Sequence, residues 1–157
     1  SKSRIEKLNS ENINFLISEA KKNKSKKIRL CSHERVSDPV HEMFIVHPKG
    51  TYVRPHRHIN KTESILIIKG SIEYITFEND GRLKDRTTLS NYKSKNKFYL
   101  ANKENSFHSL IIKSDWCVFL EITQGPFEKN KTEFASWSPE ITDKNGIRIF
   151  FKKYQSE

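Results

Sequence analysis

Little in this chain could staple it, anchor it or carry it across a membrane. It has two cysteines, Cys31 and Cys117, too far apart in sequence for the close pairing of a metal knuckle or a redox motif. Both read as idle, buried thiols. No apolar run approaches the 18 or so residues that a membrane span needs. The first ten residues, SKSRIEKLNS, lack the apolar stretch of a secretory signal. A cytoplasmic protein is therefore expected. Glycine and proline number five each, and there is neither an internal repeat nor a low-complexity tract.

What is present suits one globular unit. A chain of 157 residues is one domain's worth, able to hide about 70% of the surface it exposes when unfolded. Ten Phe, five Tyr and two Trp give that burial bulk. The net charge of +10 raises the question of an anionic partner, but it is unevenly spread. Residues 21–29 (KKNKSKKIR) contribute +6 and residues 82–97 contribute +5, so the remaining 132 residues sum to −1.

The first 30 residues differ from the rest. Ser10, a capping-type residue, precedes Ile13, Leu16, Ile17 and Ala20, an i, i+3, i+4, i+7 stripe that predicts a short amphipathic helix. It runs into the basic stretch 21–29, whose simplest reading is a solvated linker. From about Glu42 the pattern becomes short strands: 42–47, 51–58, 63–69, 71–78, 85–90, 97–101, 107–113, 116–123 and a last one at 147–154. Asn79-Asp80-Gly81 is the strongest hairpin signal, and Asn145-Gly146 would introduce the final strand. The stretch 124–146 reads as a loop. So many strands with little helix predict an all-β, closed or sandwiched antiparallel barrel. The division expected is 1–30, helix and basic linker, and 31–157, barrel.

Three histidines stand where metal chemistry would use them. His56 and His58 alternate on one strand face, a turn at Asn60-Lys61 can return Glu63 beside them, and antiparallel pairing can bring His108 to the same interior. Three imidazoles and a carboxylate make a mixed nitrogen and oxygen site with room for water or substrate. The spacing is Gly50, five residues, His56, one, His58, four, Glu63, six, Gly70. It resembles the first signature of the cupin superfamily. The second signature is matched at His108, but Lys103 stands where the proline would be, Asn105 where the glycine would be and Ile112 in place of an asparagine. Asparagine is the next best residue for a left-handed turn position, so Asn105 is expected to keep that turn.

A narrower likeness covers residues 29 to 140. Asp38-Pro39-Val40, Thr51-Tyr52-Val53-Arg54-Pro55-His56-Arg57-His58, Phe107-His108-Ser109-Leu110, Gly125-Pro126-Phe127 and Phe134-Ala135 with Trp137 and Pro139 are similar to the WbuC family of cupin-fold metalloproteins. The resemblance implies a cupin jelly-roll β-barrel carrying one divalent transition metal, Fe, Mn, Zn, Ni or Co. It also implies a setting in bacterial O-antigen and other surface-polysaccharide biosynthesis.

Around this site, Arg54 shares the face of His56 and His58 and could hold a carboxylate or phosphate, or else form a structural ion pair. Arg57 points the other way. Tyr52 is a candidate substrate donor. Glu121 alternates with Phe119 and Cys117, and if that face lines the barrel it is a candidate catalytic acid or base; the alternative is a role in supporting the site or in a dimer contact. His33, His41 and His47 fall outside the cupin spacing and read as structural or surface residues. The function expected is metal-dependent action on a small anionic or sugar-type substrate, with isomerisation or epimerisation as the reaction. A non-haem iron dioxygenase and a non-catalytic ligand-binding module are the alternatives. Nucleic-acid binding ranks last for want of a motif. An exposed strand edge in a small barrel makes a homodimer a reasonable expectation.

Overall fold

The computed structural model describes residues 5–155; the outermost residues of the expected division, 1–4 and 156–157, lie outside that range. Ten strands form two five-stranded antiparallel sheets facing one another, with a helix on each outer face. One sheet has the order β1 (Ile28–Cys31), β2 (Val40–Pro48), β9 (Trp116–Gln124), β4 (Glu63–Lys69), β7 (Tyr99–Asn102). The other is β10 (Thr132–Phe134), β3 (His56–His58), β8 (Phe107–Ile112), β5 (Ser71–Phe77), β6 (Leu83–Ser90). The fold is the all-β jelly roll that the resemblance implies, with the short N-terminal helix that the residue pattern predicts. β1 runs across residue 30, where the sequence suggests a boundary. Among the described residues no helix is long and apolar enough to cross a membrane.

Alternation along the strands builds the inner core. Met43 and Ile45, Ile65 and Ile67, Ile72 and Tyr74, Leu110 and Ile112, and Cys117 and Phe119 meet between the sheets. The intervening residues of β2 and β9, among them Val46 and Val118, face outward under α1 (Ser10–Lys22), where they meet Ile13, Leu16, Ile17 and Ala20. The cap of α1 is Asn9 rather than Ser10. Asn9 accepts from the Asn12 amide at 3.1 Å, and Asn12 Oδ1 accepts from the Asn9 amide at 2.9 Å, which satisfies two otherwise orphaned donors.

The second outer face corrects the sequence reading. Residues 147–154 lie in a helix, α2 (Lys144–Tyr154), and not in a final strand. Asp143 caps it by accepting from the Gly146 amide at 2.9 Å. Ile147, Phe150, Phe151 and Tyr154 follow helical spacing, and the last three pack with Phe77, Phe107, Ile75, Ile111, Trp137 and Tyr52. Isoleucine and phenylalanine favour strands only weakly against such a face. Tyr154 Oη donates to Gly81 O at 2.8 Å, and Arg86 donates to Tyr154 O at 2.8 Å. Gly81 has φ +87°, and a Cβ there would stand 2.9 Å from the Trp137 ring. With α2 outside and the core inside, all six residues of β8 are buried, as expected for a strand covered on both faces.

Two smaller differences bear on the site. Only His56–His58 of the expected strand 51–58 is a strand, because Pro55 offers no amide to a ladder. The expected loop 124–146 supplies β10, which pairs Phe134 with His56 and Thr132 with His58. Cys31 and Cys117 are both free, but Cys31 is exposed.

At the end of β2, the His47 ring packs edge-on to Phe119 at 5.8 Å, and burial, aided by the Lys27 charge, lowers its pKa from 6.5 to about 4. Between those values the unfolded chain holds a proton that the folded chain does not. This contribution to stability is therefore complete above pH 6.5 and declines toward pH 4, by on the order of 3 kcal/mol. Urea unfolding at pH 7 and pH 4.5 should show a smaller loss of stability for His47→Leu than for the wild type, since His56 titrates in the same window in both.

Candidate metal centre

His56 and His58 project from β3 into the barrel, His108 projects from β8 directly opposite His56 in the ladder, and Glu63 opens β4. The rings converge, with centroids 4.9 Å apart for His56 and His58, 4.5 Å for His56 and His108, and 5.5 Å for His58 and His108. One donor atom from each of the four residues lies within 4.8 Å of every other, and this group could hold a metal ion. Ligands about 2.1 Å from an ion stand up to about 4.2 Å apart across it, so a small inward settling closes the sphere.

The connection between β3 and β4 turns at Asn60, whose φ is +56°. Its amide donates to Asn105 Oδ1 at 3.0 Å. Asn105 itself does not adopt a left-handed backbone; it supports the ligand turn through its side chain instead, which corrects the role read from sequence.

The hydrogen bonds around the rings favour ligation. His56 Nδ1 meets Arg54 O at 2.8 Å and His108 Nδ1 meets Ser106 O at 3.2 Å. A carbonyl can only accept, so each Nδ1 carries the proton and each Nε2 presents its lone pair inward, the tautomer a metal requires. His108 Nε2 is buried with no hydrogen-bond partner among the described residues, and it stands 3.6 Å from Glu63 Oε1. His58 Nε2 lies 2.7 Å from Glu63 Oε2 but is not aligned for a hydrogen bond. Nitrogen and oxygen lone pairs aimed at a common point, with buried donors otherwise orphaned, fit a resident cation.

Electrostatics agree. Burial would raise the Glu63 carboxyl, but the imidazoles of His58, His108 and His56 bring it down to about 2. Burial lowers His56 to about 4, with the neighbouring His108 adding to the effect, and burial lowers His108 too. At neutral pH the Glu63 carboxylate thus faces neutral imidazoles at His56 and His108, the deprotonated state that metal binding needs. The Tyr74 ring stacks on His108 at 5.3 Å and 13°, and its hydroxyl accepts from Asn102 Nδ2 at 2.8 Å.

The other candidates separate. Glu121 is on the inner face of β9, opposite Met43 and Ile65. It lines a cavity of about 360 Å³ that His58 also lines. Burial, reinforced by the Glu63 charge, raises the Glu121 carboxyl well above its usual range despite Arg29. Arg54 donates to Glu140 at 2.6 Å and to Ser138 Oγ at 3.1 Å, with its guanidinium over the Phe134 ring. Tyr52 donates to Pro139 O at 2.9 Å and packs against Phe150 and Phe151, so its ring belongs to the outer cluster under α2. Arg57 points outward to Glu133 at 2.8 Å. Sequence reasoning passed over two residues of the cavity wall, Arg29 and His41. Alternation places His41 on the face of Met43 and Ile45, a signal available beforehand.

The fold recurs among solved structures of the cupin, or double-stranded β-helix, type. A protein from Shewanella oneidensis matches with a TM-score of 0.57 at 11% identity, over 82% of this chain and 85% of that one. An uncharacterised conserved protein with a double-stranded β-helix domain from Klebsiella pneumoniae matches at 0.53 and 14%, over 70% and 84%. The capsular polysaccharide assembling protein CapF from Staphylococcus aureus matches at 0.54 and 14%, over 68% of this chain but 34% of CapF. No curated protein matches by sequence. The family model that does match, a domain of unknown function designated DUF6016, spans residues 8–89, more than half of the chain, and the protein belongs to that family.

Proposed function

We propose that the protein is a metal-dependent cupin enzyme of the WbuC type. In this reading it acts in the cytoplasm on a small anionic or sugar-type substrate of bacterial surface-polysaccharide biosynthesis, by isomerisation or epimerisation. One observation carries the reading: the His56, His58, Glu63 and His108 group, half-buried at His56 and His58 and buried at Glu63 and His108, opens through His58 into a cavity that Glu121 also lines. Bound there, a divalent ion would supply Lewis-acid polarisation of a carbonyl or hydroxyl oxygen. The chain's own part is proton handling. A carboxyl with raised proton affinity is suited to take a proton from carbon and return it. The name of CapF supports the polysaccharide setting, as does the likeness of residues 29–140 to WbuC proteins.

The same ligand set carries a second reading, oxygen-dependent iron chemistry. Incubating metal-loaded protein anaerobically in D2O with a panel of hexose phosphates and uronic acids, followed by NMR, separates the two. Deuterium should enter a carbon-bound position with the wild type and fall by about a hundredfold or more with Glu121→Gln. Turnover that needs oxygen would favour the dioxygenase, and binding without exchange would leave a ligand-binding module.

A further inference from the structure

The arginine that sequence reasoning put forward for an anion is already occupied. Arg54, Arg57, Arg82 and Arg86 each face a carboxylate at 2.6 to 2.8 Å. Arg29 has no carboxylate within ion-pair distance among the described residues; its one side-chain hydrogen bond there is Nη1 to Met43 Sδ at 3.7 Å, and its charge acts on Glu121 from farther away. It stands at the barrel mouth on β1 and lines the cavity of about 360 Å³.

The rest of that wall has the same bias. Lys61 and Lys131 line it; Lys61 Nζ donates to Pro126 O, and among the described residues Lys131 hydrogen-bonds through its backbone. Against these stand Glu128 and Glu121. Glu121 has no side-chain hydrogen bond to any described residue. His41, 5% exposed, lines the same space, and its Nε2 is buried without a hydrogen-bond partner among the described residues. His33 stacks on it at 4.0 Å and 13° and holds the ring in place. A buried imidazole nitrogen without a partner costs stability, and a ligand's oxygen would relieve that cost.

We infer that this cavity binds a small organic oxyanion, its carboxylate or phosphate held by Arg29 and Lys131 and its adjoining hydroxyl or carbonyl held by Glu121 and His41. The ligand then points its reacting end toward His58. A guanidinium fork suits either head group, and the volume, near the lower end for ligand sites, suits a molecule of monosaccharide size or less. The inference deepens the proposed function and rests on it only for what happens at the His58 end.

The test is isothermal titration with inorganic phosphate and, separately, with glycolate. Both go into metal-loaded wild type and into the His56→Ala/His58→Ala protein, where no ion competes for the oxyanion; EDTA-stripped wild type serves if that double variant does not fold. At least one anion should bind in each background, and the arm that binds tighter identifies the head group. Arg29→Gln should weaken binding about tenfold or more in each background, while Arg54→Gln leaves it unchanged. Anion binding that is equal in Arg29→Gln and its parent, or absent from every background, overturns the inference. A wild type that takes up no metal but shows Arg29-dependent binding refutes the metal reading alone and supports the oxyanion site.

Discussion

Replacing His56 and His58 by alanine will empty the metal centre. Elemental analysis of wild-type protein grown with ample metal should give about one transition-metal ion per chain, and the double variant should retain almost none. Removing one supporting partner of a ligand already costs tenfold to a hundredfold in affinity, and this variant removes two ligands outright. The loss will also be visible in thermal unfolding. An ion present at about one hundred times its dissociation constant adds about 2.7 kcal/mol to the folded state, roughly 5–10 °C for a domain of this size. EDTA should therefore lower the melting temperature of the wild type by that amount and leave the variant unmoved. A wild type that remains metal-free after metal-replete growth would remove the centre from the protein. So would a double variant that binds the ion as tightly as its parent.

The largest effect on stability lies on the other side of β8. Phe77 is 2% exposed, and its ring meets Trp137 at 5.0 Å, Tyr154 at 5.2 Å and Phe150 at 6.4 Å. These are edge-on or tilted contacts, the arrangement aromatic rings prefer. Truncating a phenylalanine so enclosed leaves a cavity as well as lost burial, and costs about 3–5 kcal/mol out of a total that for most domains is 5–15 kcal/mol. Phe77→Ala should lower the urea midpoint with an unchanged slope, while the folded fraction still takes up metal because the ring faces away from the barrel interior. Phe15, 61% exposed on α1, is the control; its alanine variant should stay within about 0.5 kcal/mol of wild type. A Phe77→Ala loss below about 1 kcal/mol would mean that α2 does not clamp the sheet as described.

What could be read in advance depended on how local the signal was. The His56, His58 and Glu63 spacing is set by one strand, one turn and the start of the next, all within eight residues, and the two-residue period alone puts both imidazoles on one face. The stripe of Ile13, Leu16, Ile17 and Ala20 is equally local. Residues 147–154 failed because strand-favouring residue types outweighed a helical period that was present in Ile147, Phe150, Phe151 and Tyr154. The partners of Arg54 could not be read at all. Ser138 and Glu140 lie more than 80 residues downstream, and nothing near Arg54 in sequence announces them. Arg29 was obscured for the opposite reason, since it closes a run of basic residues that reads as a solvated linker, whereas β1 turns its side chain to the barrel mouth.

The centre is held unevenly, and this bears on how an ion comes and goes. His108 sits on a strand covered on both faces, between the inner core and the α2 cluster. His56 and His58 sit on three residues of half-buried strand that follow an irregular stretch ending at Pro55. Amide exchange will be slowest along β8 and much faster along β3. The exchange rate of a bound ion would then be set by fraying of β3, not by opening of the barrel, and a substitution in 51–55 that stiffens the approach to His56 would slow loading and release together without changing the affinity.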